Sequence, residues 1–334
     1  MNQALFPLIA PAVLVLAALA AFATQRRRPL LVTRLAEAAA VVALAVALGA
    51  VGLLIRQGPG TGQLPGLLGI AISTRLDVVT VVMLVLVSFV GWVVLRYAAS
   101  YLDGEARQGS FFGWTSATLA AVLLLVQAGN LFLLVLAWIA TSLGLHRLLL
   151  FYQDRVEARR AARKKFILAR IGDVALIGAA VVLSVGYRTL DIATILAAAR
   201  DGVVPAGTVW VAGLLGLAAI LKSAQFPTHG WLTEVMETPT PVSALLHAGV
   251  INAGGFLLIR FADVMLLAPG ALAVLVMVGG FTALVGGLAM LAQPAVKTSL
   301  AWSTIAQMGF MIMQCGLGLF SLALLHIVAH SLYK

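Results

Sequence analysis

The stretch LKSAQFPTHGWLTEVMETPTPVSALLHAG, residues 221–249, decides the fold. It places Lys222, His229, Glu234, Glu237 and His247, with Pro227, Pro239 and Pro241, in a chain that is elsewhere almost uniformly apolar. Pro227 has no backbone N–H to donate and its ring clashes with the preceding turn, so the apolar helix containing Lys222 is expected to break near Phe226. A helix broken in lipid is tolerated only where protein or water satisfies the freed carbonyls, which gives Thr228, His229 and Thr233 a reason to stand there. Transporters hold ions at such interruptions near the bilayer midplane. Pro239 and Pro241 suit the start of the next helix, on which Ser243 and His247 share a face one turn apart. His247 is thereby a candidate to receive a proton from Lys222; a histidine hydrogen-bonded to Ser243 is the plainer alternative.

Composition sets the surroundings of this stretch. Of 334 residues, 62% are hydrophobic and 10% charged. A soluble domain carries about a quarter charged residues, so the chain reads as an integral membrane protein. A spanning helix needs about twenty consecutive apolar residues, and a barrel strand about ten in alternation. Apolar segments at 4–24, 35–55, 76–98, 111–129, 130–151, 165–187, 208–224, 240–262, 270–291, 295–314 and 316–334 are of helical length, giving an all-α, polytopic membrane helical bundle of about eleven helices. Gly129-Asn130 is the only break between the fourth and fifth, enough for a tight turn. The single cysteine, Cys315, excludes a disulfide framework or a thiolate metal site within the chain.

The net charge of +10 belongs to short loops and is not interleaved with exposed aromatics, which argues for membrane topology rather than nucleic acid. The first segment, Ala4 to Thr24, has no basic residue before it and Arg26, Arg27 and Arg28 after it, the reverse of a secretory signal, so it reads as a retained span with its amino terminus outside. Inner loops then carry Arg26, Arg27, Arg28, Arg34, Arg96, Arg107, Arg155, Arg159, Arg160, Arg163, Lys164 and Lys165, twelve against Arg56, Arg75, Arg188 and Arg200 outside. Residues 189–200 (TLDIATILAAAR) have apolar residues at helical spacing and suggest an amphipathic helix on the outer surface. The pairs Gly254-Gly255, Gly279-Gly280 and Gly286-Gly287 are expected to let helices approach closely.

Ionisable residues inside apolar segments are candidates for function, because an ammonium in a membrane costs several kcal/mol to bury. Lys222 is read as a proton-relay lysine. Lys297 follows Pro294 at a helix start and reads equally as a headgroup contact, while Lys164 and Lys165 are read as part of the solvated cationic loop. His326, His330 and Lys334 recur every four residues, each about 40° around a helix from the last, and make one polar stripe suited to a hydrated proton path. No local carboxylate or third histidine joins His326 and His330 to favour a metal, and no metal site is expected. Arg170 and Asp173, three apart, are placed to neutralise each other. Glu234 and Glu237 are expected near a membrane face, anchoring the broken segment or meeting a partner. The chain ends at Lys334 in HIVAHSLYK with no polar tail, which suggests a truncated end.

KSAQFPTHGWLTEVMETPTPVSALLHAG, with RIGD at 170–173, KTSLAWSTIAQMGFMIM at 297–313 and HIVAHSLYK at 326–334, resembles the proton-antiporter superfamily, which includes the NuoL-type subunit of respiratory NADH dehydrogenase and the large subunits of Mrp cation antiporters. The likeness runs from about residue 70 onward. It implies a fold of antiporter-like inverted repeats, each with a broken helix: helices 1–3 and a loop over 1–110, a first repeat over 111–262 with its break near 222–238, and an incomplete second repeat over 263–334. It also implies an ion pathway of Lys222, His247, His326, His330 and Lys334, with His229, Lys297, Asp173 and Ser243 as secondary candidates and Pro227 at the break. One departure is Ile139 after Trp138, where family members usually carry a glutamate.

GVINAGG at 249–255 and TSLGLHRLLLF at 141–151 look like a subgroup, the DabB-type membrane subunits of inorganic-carbon accumulation complexes. That resemblance implies a DabA-like partner with a zinc site like that of a β-carbonic anhydrase. It implies further that a proton or sodium gradient drives hydration of carbon dioxide, with zinc and catalysis on the partner and no cofactor in this chain. The setting implied is a bacterial inner membrane. A proton-pumping NuoL-like subunit or an Mrp-type antiporter subunit is the alternative.

Overall fold

The computed structural model describes residues 3–24, 30–65, 72–152, 155–235 and 238–334, so Arg26, Arg27, Arg28 and Glu237 lie outside the described residues. The chain forms two compact units, residues 1–151 with 240–245, and residues 152–239 with 246–334.

In the first unit a 3-10 turn leads into α1 (Ile9–Ala23), followed by α2 (Leu30–Gln57). Strands β1 (Gly60–Leu64) and β2 (Ile72–Leu76) pair antiparallel, with Gly60 opposite Leu76. Then come α3 (Val78–Tyr101), α4 (Gln108–Val126) and α5 (Leu131–Leu149). The hairpin escapes a reading based on long apolar runs because it is short and glycine-containing. Its hydrogen bonds are tertiary: Thr74 Oγ1 donates to the Ala4 carbonyl at 2.6 Å and Gly129 N to the Ser73 carbonyl at 2.7 Å. The predicted turn at Gly129-Asn130 is present, with the Asn130 side chain capping α5 through Leu133 N at 2.8 Å.

The second unit contains α6 (Val156–Tyr187), α7 (Ile192–Arg200), α8 (Thr208–Lys222), α9 (Gly230–Glu234) and the end of α10 (Thr240–Ala248). It continues with α11 (Ala253–Arg260), α12 (Ala262–Leu266), α13 (Pro269–Leu291), α14 (Val296–Gly316) and α15 (Phe320–Tyr333). Among the described residues eight stretches are long and apolar enough to cross a membrane, and α8 and α15 are shorter apolar helices. The protein is a multi-pass integral membrane protein built as an all-α bundle.

Two expectations change. The cationic stretch 156–165 is not loop but the start of α6, since Ala, Glu, Arg and Lys are strong helix formers and Ala158, Ala161 and Ala162 bury one face of it. Arg159, Arg160, Arg163 and Lys164 stay exposed on the other face, but Lys165 is buried. The segment predicted as one helix over 240–262 is interrupted by a 3-10 turn at Val250–Asn252. The helix predicted at 189–200 forms as α7 from Ile192, capped by Asp191, and packs its buried residues Ile192, Ile195, Leu196 and Ala199 toward α12, where Arg200 pairs with Asp263 at 2.8 Å.

Helices α13 and α14 touch through their backbones. A methyl group on Gly279 would stand 2.5 Å from Met313 N and 2.7 Å from the Gly309 carbonyl, whereas one on Gly287 would meet nothing within 4 Å. Small residues are what permit such an approach in lipid, where no hydrophobic force pulls helices together. Gly279→Ala is expected to destabilise the protein by about 1–3 kcal/mol through overpacking and Gly287→Ala to leave it unchanged, as read by thermal unfolding in detergent.

Candidate functional site

The site starts where α8 stops. Helix α8 ends at Lys222, four residues before the expected break, because Ala224 takes a left-handed backbone (φ 49°) that no helix continues. Lys222 is therefore the last residue of a half-helix, where the carbonyl end of the dipole favours a cation. It is 8% exposed. The freed backbone groups are met by protein, as the sequence requires: Thr228 Oγ1 donates to the Gln225 carbonyl at 2.9 Å, and Thr233 Oγ1 to that of Gly230 at 3.0 Å. Phe226 N donates to Thr282 Oγ1 at 3.1 Å, a partner on α13 that local sequence does not reveal. His229 satisfies none of these groups. Its ring stacks on Phe226 with centroids 5.1 Å apart and leans on Trp302 at the same distance.

Helix α6 packs along α8 and supplies charge to Lys222. Gly172 lies against Leu221, whose Cβ is 3.7 Å from the position a methyl on Gly172 would take. Beside it Asp173, with a side chain 5% exposed, pairs with Arg170 at 2.6 Å, so the predicted neutralisation is present. Both Asp173 and Arg170 act electrostatically on Lys222. Lys165, read from sequence as a solvated loop residue, is 4% exposed and belongs to the same group of charges as Lys222, Asp173 and Arg170. Lys164 keeps the solvated role and pairs with Glu234, which thereby anchors α9 to α6.

A second group gathers on α15. His330 is 1% exposed and its ring faces that of His326 at 6.3 Å. His326 Nδ1 donates to Gln314 Oε1 at 3.1 Å, and Lys334 Nζ donates to Ser303 Oγ at 2.7 Å, so α14 steadies both ends of the stripe. His247, 2% exposed, joins this group: His330 interacts with it and Lys334 acts on both. Neither ring nitrogen of His247 has a hydrogen-bond partner among the described residues, so the plainer reading of a histidine held by Ser243 does not apply. Ser243 is half-buried one turn earlier, and Lys297 lies exposed in the first turn of α14.

The interruption between α10 and α11 joins the two groups. Ser223, next to Lys222, donates its hydroxyl to the Ile251 carbonyl at 3.2 Å, and Asn252 Nδ2 donates to Ser331 Oγ, next to His330, at 2.9 Å. Asn252 and Ser331 are 1% and 5% exposed. Sequence reading missed this link, although an asparagine in an apolar segment, three residues past Gly249, was a signal for it. Among the described residues no group of three or more histidine, cysteine, aspartate or glutamate side chains is placed to hold a metal ion. What the arrangement offers is a buried lysine, Lys222, and a group of three imidazoles, those of His247, His326 and His330, inside an apolar unit.

Residues 128–334 match the family described as NADH:quinone oxidoreductase/Mrp antiporter, transmembrane, and residues 64–112 match the amino-terminal part of NADH-ubiquinone oxidoreductase (complex I) chain 5. The chain is 49% identical over 278 residues to a probable inorganic carbon transporter subunit DabB2 of Halothiobacillus neapolitanus, covering 82% of this chain and 50% of that protein. It is 44% identical over 265 residues to a probable inorganic carbon transporter subunit DabB of Hydrogenovibrio crunogenus, covering 76% and 50%. The chain thus spans about half the length of the curated relatives it matches. In fold it is similar to a chain in the structure of an Mrp complex from Dietzia sp. DQ12-45-1b, with a TM-score of 0.87 and 27% identity over 100% of this chain and 36% of that one. With its broken α8, its buried lysine and its histidine stripe, this chain belongs to the NADH:quinone oxidoreductase/Mrp antiporter transmembrane family.

Proposed function

We propose that this chain is the ion-conducting membrane subunit of an energy-coupled inorganic-carbon accumulation complex. The observation that carries the reading is the buried Lys222 at the end of α8, tied through Ser223, Ile251, Asn252 and Ser331 to the histidines of α15. Protons, or sodium ions, pass between Lys222, His247, His330 and His326 and reach Lys334, with water bridging the 6.3 Å between the α15 rings. Asn252 and Ser331 position the row and carry no charge themselves. The likeness to two probable inorganic carbon transporter subunits supports the substrate class. The partner is a DabA-like subunit with a zinc site of β-carbonic-anhydrase type. The gradient then makes hydration of carbon dioxide one-way. One elementary charge crossing 100 mV releases about 2.3 kcal/mol, and a pH gradient adds to it, which is adequate for that task. The setting is a bacterial cytoplasmic membrane with the amino terminus outside. A second reading, an ion-translocating subunit of a redox-driven or Mrp-type antiporter complex, draws on the family match and on the Mrp fold.

Three outcomes are expected. In proteoliposomes bearing a pH-sensitive dye, Lys222→Met lowers proton flux on the order of a hundredfold, the scale at which a lost proton-transfer group acts; flux at the wild-type level overturns the conduction path. Asn252→Val leaves the Ser331 hydroxyl without its buried donor and costs about 1–2 kcal/mol in thermal unfolding, while the double variant with Ser331→Ala recovers part of the loss. Expressed as the full-length protein with its neighbouring gene product in a carbonic-anhydrase-deficient host, the pair restores growth in air, and an uncoupler abolishes it. Failure of that pair to restore growth argues for the redox or antiporter reading, which co-purifying flavin or iron–sulfur subunits support directly.

A further inference from the structure

One stripe of α6 runs from a cationic end into an apolar groove. Arg163, Ile167, Arg170, Val174 and Gly178 recur at spacings of four, three, four and four, which keeps them on one face of the helix. Ile167 and Val174 are 52% and 69% exposed, so this face looks away from the bundle. From Arg170 to Gly178 it borders a groove of about 520 Å³, walled by Ile171 and Val174 on α6 and by Leu214 and Leu217 on α8. Arg170 stands at the end nearer the start of α6 and is already engaged by Asp173 at 2.6 Å.

The length of α6 fixes the depth of this groove. The helix is long and apolar enough to cross a membrane. At 1.5 Å per residue the stretch from Ile167 to Tyr187 rises about 30 Å, the thickness of a bilayer's hydrocarbon core. The groove, about 12 Å long by the same rise, therefore falls largely in the half of the core next to the start of α6, one leaflet deep. Arg163 lies one turn before Ile167, about 6 Å further out, in the headgroup layer.

At that level the exposed side chains are cationic. Arg159 and Arg163 stand one turn apart on one face, and both are exposed. Arg160 pairs with Glu157 at 3.3 Å and Lys164 with Glu234, whereas no carboxylate among the described residues pairs with Arg159 or Arg163. Two neighbouring guanidinium groups suit a phosphate, which each can meet with parallel N–H donors. The walls below decide what kind of molecule carries that phosphate. Helices pack in lipid where small residues let backbones touch, as Gly279 and Gly309 do between α13 and α14. Here the walls are branched side chains, and a methyl group on Gly178 would already stand 3.3 Å from Leu214. A second helix has no close seat in such a groove, and a flexible hydrocarbon chain does.

We propose that this face of α6 and α8 binds an anionic phospholipid of the leaflet at the start of α6, its phosphate held by Arg159 and Arg163 and one acyl chain laid in the groove between Ile171, Val174, Leu214 and Leu217. Basic clusters beside a spanning helix draw anionic lipids electrostatically, and the groove adds a place for the chain. The site is independent of ion conduction and needs only that α6 crosses a bilayer.

The test uses the full-length protein, stripped of lipid in detergent and titrated with dioleoylphosphatidylglycerol or dioleoylphosphatidylcholine while bound lipid is counted by native mass spectrometry. The wild type is expected to bind the anionic lipid about tenfold more tightly or better, the scale of one to two basic residues at a membrane surface. Arg159→Gln with Arg163→Gln lowers its affinity to that of the zwitterionic lipid, and Arg159→Lys with Arg163→Lys keeps a preference. Val174→Trp fills the groove from an exposed position and weakens both lipids several-fold while the headgroup preference stays; Leu217→Trp, on the opposite wall, does the same. Thermal unfolding without lipid checks that each variant is folded, and with the wild type the anionic lipid raises the midpoint where glycerol 3-phosphate does not. Equal wild-type affinity for the two lipids, a preference that survives loss of both arginines, or tryptophan variants that bind lipid as the wild type does overturn the proposal. So does glycerol 3-phosphate that stabilises as well as the lipid, which assigns the arginines to a free phosphate. A wild-type dimer that Val174→Trp dissolves also overturns it and gives the groove to a second copy of the chain.

Discussion

Everything in the second unit follows from the difficulty of keeping an ammonium away from water. Lys222 could be carried on an intact helix only by reaching for a headgroup, and α8 instead stops at it. The stop supplies a carbonyl end that favours a cation, and α6 supplies Asp173. It also frees backbone groups, and Thr228, Thr233 and Thr282 meet them. A single buried lysine therefore demands a capped break, a counter-charge and a helix neighbour close enough to deliver it.

The same logic organises α15. Gln314 of α14 holds His326 and Ser303 of α14 holds Lys334, while His247 approaches His330 from the interrupted α10–α11 segment. The interruption contributes main-chain and amide groups as well as an imidazole. Ser223 reaches the Ile251 carbonyl and Asn252 reaches Ser331, so the two halves of the site are registered by neutral hydrogen bonds. Such bonds do not titrate, and the spacing of the ionisable groups stays fixed while their charges change.

Much of this was legible in the sequence, for identifiable reasons. Hydropathy located the helices, and Pro227 announced a break whose consequences reach Thr228 and Thr233. Periodicity of four put His326, His330 and Lys334 on one stripe, and a spacing of three paired Arg170 with Asp173. What escaped is what depends on partners distant in the chain. The break comes early because of Ala224, not of Pro227 itself. Lys165 looked like a topology signal because composition counts a charge without knowing which face of α6 will be covered. Thr282, Gln314, Ser303 and the Asn252–Ser331 bond are contacts between helices, and no local pattern encodes them.

The backbone contact between α13 and α14 carries one more implication. Where Gly279 and Gly309 let main chain lie on main chain, no side chain is available to slide or repack, and the two helices must travel as a single stiff strut. Trp302, Ser303 and Gln314 ride on that strut, and through them the ring of His229, the ammonium of Lys334 and the imidazole of His326 are pinned to it. The interruptions after Lys222 and at Val250–Asn252 lie outside that strut.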